Sequence, residues 1–174
     1  MDNRYKNFLS SLRYLIWLFL IGVTLFFIFR LVFLFVYGDL KDLGSTWSEV
    51  INAFVIGLKF DLKVLTFALL PLALLCLIQL LNTSGKIKYG FYYRVSLYYG
   101  LFVLLVFSFI SVVDFNYYKF FNTRISVLFF GIVEDDTRAV LKSVWTDYPV
   151  VWILLSLMVF SVLLYLLIKW LFRK

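Results

Sequence analysis

The sequence predicts an all-α membrane protein, a bundle of four transmembrane helices, and three observations carry that prediction. Hydrophobic residues make up 64% of the 174 positions, well above the roughly half typical of soluble domains. Four apolar runs, at 14–37, 61–81, 95–113 and 150–168, hold 19 to 24 residues each, enough to cross a hydrocarbon core of ~30 Å. Basic clusters recur at alternate ends of those runs. The aromatics are mostly Phe (21) and Tyr (12), which suits lipid-facing and interfacial surfaces.

Residues 1–13 carry Arg4, Lys6 and Arg13 against Asp2. A secretory leader also opens on a basic segment, but the apolar run behind this one is too long and lacks a small-residue cleavage site. The reading is an uncleaved first span at 14–37, interrupted by Arg30 alone. Residues 38–48, GDLKDLGSTWS, are turn-rich, and Ser48 before Glu49 suits a helix start. Residues 48–60 are mixed in polarity. They are expected as an interfacial helix on the outer side, with the beginning of the second span as the other reading. The span at 61–81 contains Pro71, which removes one backbone donor and predicts a tolerable kink.

Residues 82–94 form a loop with Lys86, Lys88 and Arg94. The third span, 95–113, has a tyrosine-rich entry (Tyr92, Tyr93, Tyr98, Tyr99) that reads as an aromatic belt. Within 114–149, the part 125–133 is apolar but too short to cross, and 135–145 places Ala139, Val140, Val144 and Trp145 at helical spacing, so 125–145 is expected as interfacial helices on the outer side. Pro149 suits the first turn of the fourth span, 150–168, which stops at the basic end KWLFRK.

The N-terminus, residues 82–94 and the C-terminus each carry three Lys or Arg, opposed only by Asp2; the other loops and their flanking helix ends hold nine of the ten acidic residues. This pattern places both termini in the cytoplasm. The net charge of +7 lies in short clusters beside apolar runs, which points to anionic headgroups and not to nucleic acid. The chain has no histidine, which excludes a His-based triad or a His metal site. Cys76, the single cysteine, has no internal disulfide partner and reads as apolar packing. Three adjacent acids, Glu134, Asp135 and Asp136, lack the spaced oxygen ligands of a cation loop and read as a helix N-terminus. The chain itself is expected to hold no catalytic residue, no metal and no cofactor.

The functional candidates are charges beside the spans. Arg30 lies seven residues from the outer end of the first run, roughly 10 Å deep by helical rise. Asp61 and Asp114 lie at the outer ends of the second and third. Arg30 reads as a structural ion pair or as a contact for an anionic headgroup, and Asp61 is expected within reach of it or of another base. Lys59 and Lys63 share a helix face with Asp61 turned away, as snorkelling lysines or as two donors to one anion. Arg124 completes the set of candidates.

Four stretches, in order, resemble the membrane region of the lipoteichoic acid synthase family of sulfatase-like phosphoglycerol transferases. FRLVFLFVY around Arg30 resembles the first span of that family. GLKFDLKV at 57–64 is similar to its G-x-R-F-D-L-S segment. DFNYYKFFNTRIS at 114–126 and VEDDTRAVLKSVWTDYP at 133–149 resemble the stretches flanking its third and fourth spans. The departures are Lys59, where the family often has arginine, and Lys63, where it often has serine; lysine lacks the bidentate fork of arginine.

The resemblance implies a bacterial cytoplasmic (inner) membrane location and phosphatidylglycerol among the lipid partners. It also implies a fifth span and an extracytoplasmic catalytic domain of the alkaline phosphatase type, with a threonine nucleophile and a divalent metal such as manganese. None of those catalytic residues lies in this chain. The expectation is therefore the N-terminal membrane part of such an enzyme. A free-standing four-helix scaffold or assembly partner is the alternative. A small transporter ranks last, because repeated halves and broken mid-span helices are missing from the pattern.

Overall fold

The structure is a computed structural model and describes residues 3–38, 47–81, 89–121, 145–146 and 150–173. Four long helices account for nearly all of them: α1 (Asn3–Tyr37), α2 (Trp47–Leu81), α3 (Tyr89–Phe121) and α4 (Val150–Arg173). Each is long and apolar enough to cross a membrane, and the four coincide with the four predicted runs. The all-α class and the number of spans are as the sequence predicts.

All four helices overrun their predicted ends, and the longest overrun at a single end is at the start of α2. It starts at Trp47 and passes through Asp61 without a break. Residues 48–60 are the first turns of the second helix and not a separate interfacial element. Charges at Lys59, Asp61 and Lys63 mark where apolar sequence begins, but a charge does not end a helix whose backbone bonds are closed internally. Gly57 is the only weak helix former nearby, a cost of about 1 kcal/mol that packing offsets. The second expected interfacial segment, 125–145, lies outside the described residues apart from Trp145, which is helical with Thr146.

At 35 residues, α2 is roughly 52 Å long by helical rise, well beyond a core of ~30 Å. The charge-free part of each helix is the better measure of the membrane. It covers 14–29 in α1, 64–81 in α2, 95–113 in α3 and 150–168 in α4. Those 16 to 19 residues correspond to about 24–29 Å each. Large apolar side chains point outward along these segments, with Phe67 at 73% and Trp152 at 74% exposure. A water-soluble monomer does not sustain such continuous apolar surface, whereas a lipid-facing helix requires it.

The chain divides into two compact units, one of residues 1–104 with 167–174 and one of 105–166. In the first, the main helix pairing is α1 with α2. A Cβ on Gly22 of α1 would meet the Leu65 methyls of α2 at 2.7 Å, and one on Gly57 of α2 would meet the guanidinium of Arg30 on α1. Eight residues forward along α1 thus correspond to eight residues back along α2, so the two helices run antiparallel in fixed register. Gly100 of α3 receives Leu18 of α1 in the same way, with its would-be Cβ at 2.5 Å from the nearer methyl. Leu18 and Leu65 are fully buried. Helices in lipid gain nothing from burying leucine against leucine, so glycine notches that let side chains seat closely are the effective packing device.

Tyr92 and Tyr99 of α3 also face inward. The Tyr99 hydroxyl donates to the Ala68 carbonyl at 2.8 Å and the Tyr92 hydroxyl to the Leu72 carbonyl at 3.3 Å. These bonds bracket Pro71, where α2 lacks one N–H. Tyr93 joins a ring cluster, 5.8 Å from Tyr14 and 5.9 Å from Phe172, with Tyr14 and Phe172 stacked at 4.2 Å. Of the tyrosine-rich entry, only Tyr98 presents most of its surface outward. The aromatic-belt reading is corrected accordingly: the other three tyrosines are packing and hydrogen-bonding residues. Cys76 is buried on α2.

In the second unit, four polar side chains return hydrogen bonds to their own helices. Ser111 and Asn116 donate to the Phe107 and Val112 carbonyls of α3, and Ser156 and Ser161 to the Ile153 and Met158 carbonyls of α4. Back-bonding of this kind satisfies a hydroxyl or amide where lipid offers no partner.

Candidate functional site

One charged residue of α1 meets one of α2. Arg30 Nε donates to Asp61 Oδ2 at 2.7 Å, and the two side chains are 20% and 16% exposed. Gly57 lies one turn before Asp61 on the same face of α2. The guanidinium of Arg30 lies against Gly57, in the space a Cβ would occupy. Asp61 therefore anchors one edge of the guanidinium while the bare backbone at Gly57 gives its plane somewhere to rest.

The α1–α2 register explains why the pair forms. Seating Leu65 on Gly22 brings Arg30 level with Gly57 two helical turns away, so packing delivers the cation to the carboxylate. Arg30 falls at the end of a charge-free stretch of 16 residues, the shortest of the four. An arginine at the centre of a membrane helix costs about 2.5–3.5 kcal/mol on insertion scales and less toward its end, and such residues pair with a counter-charge or snorkel. Here the counter-charge is Asp61, as expected from the sequence.

Lys59 and Lys63 do not belong to this site. They lie two residues from Gly57 and Asp61 respectively, roughly 200° round the helix at 100° per residue. Both are exposed. The Lys63 ammonium lies 5.7 Å from the centre of the Phe60 ring, and neither lysine has a carboxylate within ion-pair distance among the described residues. Asp114 is half-buried on α3 in the second unit and is not a free charge. Arg124 lies outside the described residues.

The six candidates thus resolve into one ion pair, one separate lysine face, one carboxylate in the other unit and one residue not described. Gly57 is the member that the charge pattern alone does not single out. Its signal was its place in the sequence: a residue without a side chain, one turn from the acid, on the face turned to α1. Chemically, this arrangement holds charge and orients helices. Among the described residues no group of three His, Cys, Asp or Glu gathers to hold a metal. No family model, curated protein or solved structure matches the chain.

Proposed function

We propose that the chain is the membrane anchor and lipid-positioning part of a sulfatase-like phosphoglycerol transferase acting at the outer face of the bacterial cytoplasmic membrane. One observation supports this above the others. Two stretches that carry the resemblance, FRLVFLFVY on α1 and GLKFDLKV on α2, are far apart in sequence, yet Arg30, Gly57 and Asp61 from them form a single contact. A resemblance arising from apolar composition alone has no reason to single out residues that touch. On this reading the pair sets the α1–α2 geometry on which the catalytic domain is carried. The divalent metal and the nucleophile belong to that domain.

An antibody raised against this chain tests the proposal in native membranes. The expected band is far above 20.6 kDa, and the immunoprecipitate transfers glycerol phosphate from phosphatidylglycerol in the presence of manganese. A band at 20.6 kDa with no transferase activity in the precipitate overturns it and favours the free-standing scaffold.

A further inference from the structure

We propose that Lys59 and Lys63 form a seat for the headgroup phosphate of one anionic phospholipid, on the side of α2 turned away from Arg30 and Asp61. This inference does not rest on the enzyme assignment above. It rests on an unneutralised charge pair and on what lies beneath it.

The two lysines are four residues, one helical turn, apart on α2, a spacing at which like charges repel. A phosphate between them removes that repulsion and accepts charge-assisted hydrogen bonds from both. Their level along the helix fits a headgroup. Lys63 is the first charge above the charge-free stretch 64–81, whose 18 residues span roughly 27 Å, close to the thickness of the hydrocarbon core. Lysine stems lie along apolar surface and deliver their charge to the interface. The contact of the Lys63 ammonium with the Phe60 ring, 5.7 Å from its centre, keeps that charge close to the helix.

The same face then continues as a track for an acyl chain. Phe67, Leu70 and Leu74 follow Lys63 at intervals of four, three and four residues, and all three are exposed. Two cations above an unbroken apolar stripe match a phospholipid and not a free phosphate, which has no use for the stripe. A zwitterionic headgroup brings an ammonium of its own, and among the described residues this face offers it no carboxylate: the nearby acid, Asp61, is on the other side of α2 and is paired. The seat therefore selects an anionic lipid.

Native mass spectrometry of the full chain, released from micelles doped with phosphatidylglycerol or with phosphatidylcholine, tests this. The wild type retains phosphatidylglycerol in preference to phosphatidylcholine. K59Q/K63Q is expected to bind phosphatidylglycerol roughly thirtyfold more weakly, from two lysines at the surface, with an unchanged far-UV circular dichroism spectrum. K59R/K63R is expected to retain the lipid. R30M is also expected to retain it, because Arg30 is on the opposite side of α2. Equal retention by wild type and K59Q/K63Q overturns the proposal. So does loss of the lipid in R30M but not in K59Q/K63Q, which would place the phosphate at Arg30. Displacement of the lipid by an equal concentration of inorganic phosphate overturns the choice of ligand.

Discussion

If the Arg30–Asp61 pair holds α1 to α2, the two residues must be worth less apart than together, and a double-mutant cycle measures this. The perturbations are Arg30→Met and Asp61→Asn, singly and combined. Removing one partner of a fully buried pair costs about 3–5 kcal/mol, because the other charge is left without compensation, whereas an exposed pair contributes ~1 kcal/mol or less. With exposures of 20% and 16%, the pair lies between the buried and the exposed case. Each single substitution is therefore placed at roughly 2 kcal/mol, between those two limits. The double substitution leaves no orphan charge and fills the same volume, so it is expected to cost no more than either single one.

The coupling energy is then about 2 kcal/mol, within the range seen for directly interacting residues. The assay is reversible unfolding of the full chain in mixed micelles by added sodium dodecyl sulfate, followed by circular dichroism at the helical band. Additive effects, with a double variant losing about 4 kcal/mol and a coupling below ~0.5 kcal/mol, would refute the argument. In that case the guanidinium is satisfied by water or lipid, and its proximity to Asp61 does not organise the helices.

Three further outcomes follow from the same geometry. Gly57→Ala puts a methyl where the guanidinium rests and is expected to destabilise the chain by about 1–3 kcal/mol in the same unfolding assay. In an Arg30→Ala background the sign reverses, to a gain approaching 1 kcal/mol from helix propensity; destabilisation in both backgrounds would mean that Gly57 serves something other than Arg30. Tyr99→Phe removes the 2.8 Å bond to Ala68 and is expected to cost about 0.6–1.7 kcal/mol, the range for hydrogen bonds between membrane helices. Tyr92→Phe, with a bond of 3.3 Å, is expected to cost less, and the reverse order would remove the hydroxyl at Tyr99 as a support of α2 near Pro71. For orientation, Lys59→Cys in a Cys76→Ser background is expected to react with a membrane-impermeant maleimide added outside intact cells, and Lys169→Cys only after permeabilisation; the opposite pattern overturns the orientation that the basic clusters predict.

The spans were legible because hydrocarbon sets their length and tolerates few charges, so runs such as 95–113 and 150–168 stand out without reference to partners. Helix ends were less legible for a physical reason. Lys59, Asp61 and Lys63 mark a change of solvent, but backbone hydrogen bonding continues across it, and α2 begins at Trp47. The ion pair was legible in part, since an intramembrane arginine demands an acid and Asp61 lay at a compatible depth. Gly57 and Gly22 were not singled out: a residue that acts by lacking a side chain leaves no chemical trace, and its role depends on what the neighbouring helix presents. The tyrosines of α3 were misread for a related reason. Tyrosine at a membrane boundary serves equally as a belt residue or as an internal donor. The helical spacing of Tyr92, Ser96 and Tyr99, all on one face, is the sequence signal that favours the second role.

The two sides of α2 treat charge in opposite ways, and the difference assigns them different tasks. Toward α1, the cation arrives with its own carboxylate, and its plane fills a notch whose position is fixed by the register of Gly22 on Leu65. A ligand phosphate bound there would have to compete with Asp61 for the guanidinium and with Gly57 for the space, at the expense of the packing that placed Arg30. Away from α1, Lys59 and Lys63 have neither constraint: they are exposed, lack a counter-charge among the described residues, and stand above an apolar stripe. An anion binding on that side neutralises charge without breaking a contact. Within one stretch of seven residues, 57–63, the helix contact is therefore made by Gly57 and Asp61, and the proposed lipid contact falls to Lys59 and Lys63. The half-turn between the two sets lets either be altered without the other.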